Sequence, residues 1–319
     1  MKPGAEAVPE IVVFGSLNMD LVVRVPRVPG AGETLQAHSF MNNPGGKGAN
    51  QAVACARQGA RVAMVGRVGD DAFGLSLKAS LAGDGVEVGH VALAAASTGV
   101  ALIMVDDSAQ NRIALIPGAN AFVGAEDMQR LQSDLATARL LLLQLEVPMQ
   151  AVVDAAELAH SRGCTVVMNP APAEALPDTL WKLVDILVLN ETEASMLSGI
   201  AVHDKNGAAR AADALRRRGP ACVILTMGSD GVMACDAGGC RHFDALEVKA
   251  IDTTAAGDTF IGTLCAALAR GEAIDDGIAL GIQAAAVCVT RAGAQASIPR
   301  REDLSALPAV GCPTVVTFD

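Results

Sequence analysis

The sequence predicts an α/β fold: a mostly parallel sheet covered by helices on both faces, with a small β lid. Three observations predict it. Short, continuous apolar runs recur along the chain, and amphipathic helical patterns lie between most of them, as expected for a sheet buried on both faces. Two segments, about 19–41 and 97–116, break that rhythm with alternating residues such as Leu21, Val22, Val23, Arg24 and Val25, the pattern of antiparallel strands. No linker, internal repeat or low-complexity tract sets these segments apart, so residues 1–319 are expected to form one α/β domain with the lid built into it.

The first strand is expected at residues 11–15 and runs into Ser16, Leu17, Asn18, Met19 and Asp20. Asn18 and Asp20 therefore sit at the carboxyl end of a strand, where ligands of open α/β sheets bind. After the first lid segment comes a glycine-rich turn, Asn43 to Asn50, feeding a small-residue helix. It is not a P-loop, because Gly48 stands where that motif needs a Ser or Thr to hold magnesium. It offers instead backbone N–H groups, the Lys47 ammonium and the Asn50 amide, which suit a polyhydroxylated ligand. A turn residue at Asp20 and a solvated charge at Lys47 are the plainer alternatives.

Further strands are expected at residues 61–65, 140–143, 165–168, 186–189 and 221–225. Glu146 closes the second of these just before Pro148, as a site acid or a solvated loop acid. Asn190, Glu191 and Glu193 follow the fourth, where Asn190 and Glu193 also have the spacing of a capping box. Thr226, Met227, Gly228, Ser229, Asp230 and Gly231 follow the fifth and also read as an ordinary hairpin turn.

The most informative stretch is residues 251–260. Ala255, Ala256 and Gly257 carry the chain into a helix over 260–268, so no bulky side chain keeps an anion from the free N–H groups and positive dipole at its start. Asp258 at the same point is sited to take a proton from a hydroxyl that attacks a phosphoryl group. Its simpler role is a helix cap.

Composition fits an intracellular enzyme. Apolar residues make up 51% of the chain, ample for a core, and no apolar run reaches membrane-spanning length. Residues 1–6 lack the apolar core of a secretory signal, so a cytoplasmic location is expected. A net charge of −11 argues against a nucleic-acid surface. The eight cysteines show no metal spacing; Cys55, Cys222, Cys265 and Cys288 read as buried thiols, and Cys235 and Cys240 as a reduced pair flanking a glycine turn. The five histidines are scattered and take no assigned role.

Taken together, residues 15–20, 29–34, 45–52, 97–103, 118–120, 144–146, 169–173, 190–194, 252–260 and 290–295 resemble, in order and over nearly the whole chain, the ribokinase family of sugar kinases. The resemblance implies ATP-dependent phosphorylation of D-ribose at O5. Asp258 would be the base, with the N–H groups of Ala255, Ala256 and Gly257 steadying the transferring phosphoryl group. Asn18, Met19, Asp20, Gly46, Lys47, Gly48, Ala49, Asn50, Glu146 and Asp258 would form the sugar site. Asn190 would lie near the ATP phosphates and Glu193 would help order Mg2+. Residues 226–231, with Gly257, would hold the nucleotide, its adenine lying against the last helix around Ile282 and Gln283.

The family also implies a potassium site. The Asp252 carboxylate and Ser297 hydroxyl would join carbonyls of Thr254, Cys288, Arg291 and Gly293, although Asp252 and Ser297 also serve as loop caps. The lid would close over the sugar and pair two subunits as a homodimer. Rival substrates are a nucleoside, deoxyribose or another sugar. A sugar sensor without chemistry fits less well, because the catalytic motifs are complete; a dehydrogenase fails for want of Gly-x-Gly-x-x-Gly at the first strand-to-helix turn.

Overall fold

The computed structural model describes residues 8–108 and 110–317; residues 1–6, read above for a missing secretory signal, lie outside them. Along the chain run β1 (Ile11–Phe14), β2 (Asn18–Arg24), β3 (Ser39–Gly45), α1 (Lys47–Arg57), β4 (Val62–Gly69), α2 (Ala72–Gly83), β5 (Val91–Ala94), β6 (Gly99–Val105), β7 (Asn111–Ile116), α3 (Ala125–Asp134), β8 (Leu140–Leu143), α4 (Met149–Ser161), β9 (Thr165–Met168), α5 (Asp178–Trp181), β10 (Ile186–Asn190), α6 (Glu191–Ser198), α7 (Lys205–Arg216), β11 (Cys222–Thr226), β12 (Val232–Asp236), β13 (Gly239–Phe243), α8 (Ala256–Ala269), α9 (Ile274–Val289) and β14 (Thr314–Val316).

Ten strands form one sheet in the order β14-β13-β12-β11-β10-β9-β8-β1-β4-β5. The seven from β11 to β5 in that order pair in parallel, and β12, β13 and β14 add an antiparallel margin. Alternate strand residues point to opposite faces, and both faces are covered. Val12, Phe14, Leu141 and Leu143 pack in one core with Trp181, while Ile11, Val13 and Leu142 pack in another with Phe260 and Ile282. That double burial is why the strands read as unbroken apolar runs.

The strand order reverses at β1. The chain goes from β1 to β4 and β5 on one side, then returns to β8, β9, β10 and β11 on the other. Helices therefore diverge at the carboxyl ends of β1 and β8 and leave a crevice there, the usual ligand position in such sheets.

The lid is a separate four-stranded sheet, β3-β2-β6-β7. Two details differ from expectation. β2 and β6 pair in parallel rather than antiparallel, because the chain between them crosses over through β4, α2 and β5 before returning. The second lid strand also runs past residue 41 to Gly45, so the lid feeds directly into the glycine-rich turn. Cys235 and Cys240, expected to be reduced, are joined as a disulfide; they face each other directly across the β12–β13 hairpin. Among the described residues no helix is long and apolar enough to cross a membrane.

Candidate active site

The start of α8 depends on one unusual backbone. Ala255 precedes the helix with φ 60° and ψ 10°, the only non-glycine residue at positive φ among those described. A left-handed alanine costs about 1–2 kcal/mol and persists only where its surroundings hold it. Here it turns the chain so that Ala255, Ala256, Gly257 and Asp258 line a cavity of about 200 Å³, with Ala256 N donating to the Thr253 carbonyl at 3.3 Å. Around Gly257 the space is open, since an added Cβ there would meet nothing within 4 Å.

Asp258 lies in that first turn, 9% exposed. Asn50 Nδ2 donates to its Oδ2 at 3.0 Å and Gln51 Nε2 to its Oδ1 at 2.9 Å. Both donors come from α1, which packs tightly on α8 where Gly262 presents no side chain. A Cβ at Gly262 would sit 2.4 Å from Ala54 Cβ and 2.8 Å from the Gln51 carbonyl oxygen. The bare backbone at Gly262 lets the two helices approach closely enough for these amides to reach the carboxylate.

A second polar cluster gathers at the ends of β1 and β8. Glu146 Oε2 accepts from Ser16 Oγ at 2.5 Å, Lys47 N at 3.1 Å and Asn18 Nδ2 at 3.2 Å. Asn120 orients Asn18 by donating Nδ2 to its Oδ1 at 2.8 Å, and ties itself to Leu17 N and O. Asp20, half-buried, faces Gly45, where a Cβ would lie 2.3 Å from Oδ2. Burial, reinforced by the Glu146 and Asp258 carboxylates, pushes the Asp20 carboxyl up to about 7. Burial alone would lower the Lys47 ammonium, but Asp258, Glu146 and Glu193 outweigh it and hold it above its ordinary value. Gly46 caps α1, and Asn50 N donates to its carbonyl. Within the expected sugar set, the Met19 and Ala49 side chains are packed in the core, so these two can offer only backbone atoms.

The cavity at Asp258 is also lined by Lys47, Asn169, Asn190, Glu193, Thr226 and Thr253. Asn190 and Glu193 do form the capping box: Asn190 Oδ1 accepts from Glu193 N, and Glu193 accepts from Asn190 N and Nδ2, each at 2.9 Å. They line the cavity as well, so the capping role does not withdraw the pair from it. Burial is the main effect raising the Glu193 carboxyl, partly offset by the Asn190 N–H and by Lys47.

A second, more apolar cavity of about 730 Å³ adjoins the first through Thr226, Thr253, Ala256 and Gly257. Gly228, Ser229, Gly231, Phe260 and Ile282 contribute to its walls. Residues 228–230 form a short 3-10 turn between β11 and β12, closed by Met227 N donating to Gly231 O at 2.8 Å. Met227 is buried beneath this turn, and the Asp230 carbonyl is engaged by His242 Nε2 at 2.6 Å. Gln283 lies outside the lining: its amide donates to Leu304 and Leu307 carbonyls at 2.8 and 2.9 Å.

Beside α8, two loops meet. Asp252 accepts from Thr254 N at 2.9 Å and Gly293 N at 3.0 Å. Partial burial would raise its carboxyl, but these donors prevail and hold it below the usual range. Cys288 Sγ lies 3.1 Å from Ser297 Oγ and donates to the Thr254 carbonyl at 3.7 Å, while Arg291 N donates to the Cys288 carbonyl at 3.0 Å. The six residues of the expected ion site are thus brought to one loop junction.

The sequence profile of the pfkB family carbohydrate kinases matches residues 8–301. The chain belongs to that family. It is 42% identical over 294 residues to the ribokinase of Haemophilus influenzae, across 92% of this chain and 96% of that one. It is 36% identical over 298 residues to the deoxyribokinase of Salmonella typhi, across 93% and 97%. The structure of Arabidopsis thaliana ribokinase complexed with ribose and ATP matches it with a TM-score of 0.87 at 30% identity, covering 94% of this chain and 98% of that one.

Several polar residues of this carbohydrate-kinase site carried no role in the sequence reading. Ser16 and Asn120 orient Glu146 and Asn18, Thr253 joins the two cavities, and Gln51, Gln144 and Asn169 lie buried behind Asp258. For Gln144 and Asn169 the available signal was a polar residue directly after an apolar strand, since buried polar groups need partners.

Proposed function

We propose that this carbohydrate kinase transfers the γ-phosphoryl group of ATP to O5 of D-ribose, giving D-ribose 5-phosphate. The observation that carries the reading is the position of Asp258. It is held by two amides at the open start of α8, between the Asn18–Glu146 cluster and the cavity that leads to the larger apolar one. Similarity to the ribokinases named above supports the choice of sugar.

In this reading Asn18, Asp20, Lys47, Asn50 and Glu146 grip the hydroxyls, backbone at Met19, Gly46, Gly48 and Ala49 shapes the site, and the lid segments 19–41 and 97–116 of this one domain close over it. Carboxylate and amide groups left unpaired by a missing hydroxyl penalise the wrong sugar. Asp258 accepts the proton of the primary hydroxyl as it attacks, and the Ala255 and Gly257 N–H groups face the charge on the transferring group, the Ala256 N–H being engaged by the Thr253 carbonyl. The nucleotide takes the larger cavity, with Gly228, Ser229 and Gly231 close to it and adenine near Ile282 rather than Gln283.

Glu193 and Asn190 fit a magnesium ion that keeps most of its waters, since the pair lines the cavity with oxygen donors; when bound, the ion neutralises phosphate charge. The Asp252 and Ser297 oxygens with carbonyls of Thr254, Cys288, Arg291 and Gly293 fit potassium, an all-oxygen set with a single carboxylate. We further infer a homodimer paired through the lid, working in the cytoplasm.

A coupled assay of ADP release across ribose, 2-deoxyribose, other pentoses, hexoses and nucleosides tests the reading. Ribose is expected to give the highest kcat/KM. A higher value for 2-deoxyribose would favour the second reading, for which the Salmonella relative speaks; ATP turnover with none of them would overturn both.

A further inference from the structure

Gln51 and Gln144 are fully buried, and both belong to one chain of amides that ends on Asp258. The polarity of that chain starts at a backbone carbonyl, which can only accept. Asn169 Nδ2 donates to the Val188 carbonyl at 3.0 Å, which turns Asn169 Oδ1 toward α1. Gln51 Nε2 donates to that oxygen at 3.3 Å and to Asp258 Oδ1 at 2.9 Å. Gln51 Oε1 then faces the other way and accepts from Gln144 Nε2 at 2.6 Å. An inverted Gln51 amide would set its oxygen against two acceptors, so each link holds the next in one orientation.

The two oxygens of Asp258 are therefore not equivalent. Among the described residues Oδ1 meets only the interior network. Oδ2 meets Asn50, whose own Oδ1 is buried without a partner among those residues and which the proposed function assigns to the sugar site. We propose that Gln51, locked by Gln144 and Asn169, is a positioning residue that pins Asp258 Oδ1 and reserves Oδ2 as the oxygen that receives the substrate proton. This rests on Asp258 being the base. In the step itself the O–H bond of the hydroxyl breaks, its proton passes to Oδ2, the new O–P bond forms, and the bond from the γ-phosphorus to the β-phosphate oxygen breaks to release ADP.

Gln51 governs the chemical step more than sugar binding, because it touches the base and not the ligand. The other titratable groups facing Asp258 are Asp20 from β2, Lys47 from α1, Glu193 from α6 and Cys288 from α9. All are kept in the variants below, so an altered pH profile reports on Gln51.

The test measures kcat and ribose KM from pH 5.5 to 9 for the wild type, Gln51→Leu, Gln51→Glu and Asp258→Asn. Gln51→Leu should lose about 10- to 100-fold in kcat with KM changed less than about threefold. Gln51→Glu keeps the shape but, when ionised, faces Asp258 without a donor. Its deficit relative to wild type should shrink as pH falls and its carboxyl regains a proton to donate. Should Gln51→Leu fail to fold, Gln51→Glu carries the same reading by itself. Wild-type kcat in Gln51→Leu, or a deficit in Gln51→Glu that is the same at every pH, would overturn the proposal while leaving an inactive Asp258→Asn to uphold the base. A fully active Asp258→Asn would remove the base assignment and the proposal with it.

Discussion

Among single residues, Asp20 gives the most direct pH prediction. Its carboxyl, ordinarily near 3.8, is pushed up to about 7 by burial and by the neighbouring Glu146 and Asp258 carboxylates. An ionised carboxylate offers acceptors only, which is what paired sugar hydroxyls require. Ribose binding should therefore tighten as pH rises through about 7 and level off above it. In Asp20→Asn binding should be weaker and flat over the same range. The effect on folding has the opposite direction. Between about pH 4 and 7 the folded chain keeps a proton that the unfolded chain has released, so this group's contribution to stability falls as pH rises through that window. Calorimetric titration of ribose at pH 6 and 8 checks the first statement; equal affinity at both would remove Asp20 from the sugar contacts.

Among elements, the α1–α8 pair sets the site, because it carries Asn50 and Gln51 to Asp258 across about two hundred residues of sequence. The contact depends on the bare backbone of Gly262. Gly262→Leu should force the helices apart, costing about 1–3 kcal/mol of stability by overpacking. It should also lower kcat about 100-fold through misplacement of the base, with the far-ultraviolet circular dichroism spectrum kept. Normal turnover in a destabilised variant would show that the helix spacing does not control Asp258. The loop pair leading into α8 makes a separate prediction. Potassium should raise wild-type activity more than sodium at matched ionic strength, and Asp252→Ala should be slow and indifferent to it. A titration in which the variant responds like the wild type would leave Asp252 as a turn residue that accepts from Thr254 and Gly293.

At the scale of the whole molecule, the lid leaves apolar side chains in the open. Phe40, 61% exposed, shares one face of the lid sheet with Leu102, while Ile113, 59% exposed, shares the other with Met41 and Leu115. Apolar surface left open in this way usually marks a contact. Sedimentation of the wild type at micromolar concentration should give a dimer, and Phe40→Glu with Ile113→Glu should give a monomer. A wild type that sediments as an active monomer would refute the lid pairing.

The runs at residues 140–143 and 165–168 were legible to the residue as β8 and β9, because a strand buried on both faces must be apolar throughout. The start of α8 was less legible: the helix expected over 260–268 begins at Ala256, so Ala256, Gly257 and Asp258 form its first turn rather than lead into it. The edge strand β14 was not legible, being three residues long and mostly exposed. Nor was the parallel β2–β6 pairing, because alternation shows which residues share a face and says nothing of strand direction. Gln51 and Gln144 were read only as parts of a motif. A glutamine in an apolar stretch has no local mark of its partner, and theirs were chosen when α1, β8 and α8 met. By itself the sequence determined the α/β class, the strands that must be buried and the acid at the head of α8, since each follows from short-range periodicity and backbone chemistry. Only the tertiary structure decided which oxygen of that acid is pinned and which is open, because that depends on contacts closed across long loops and on a helix spacing that one missing Cβ permits.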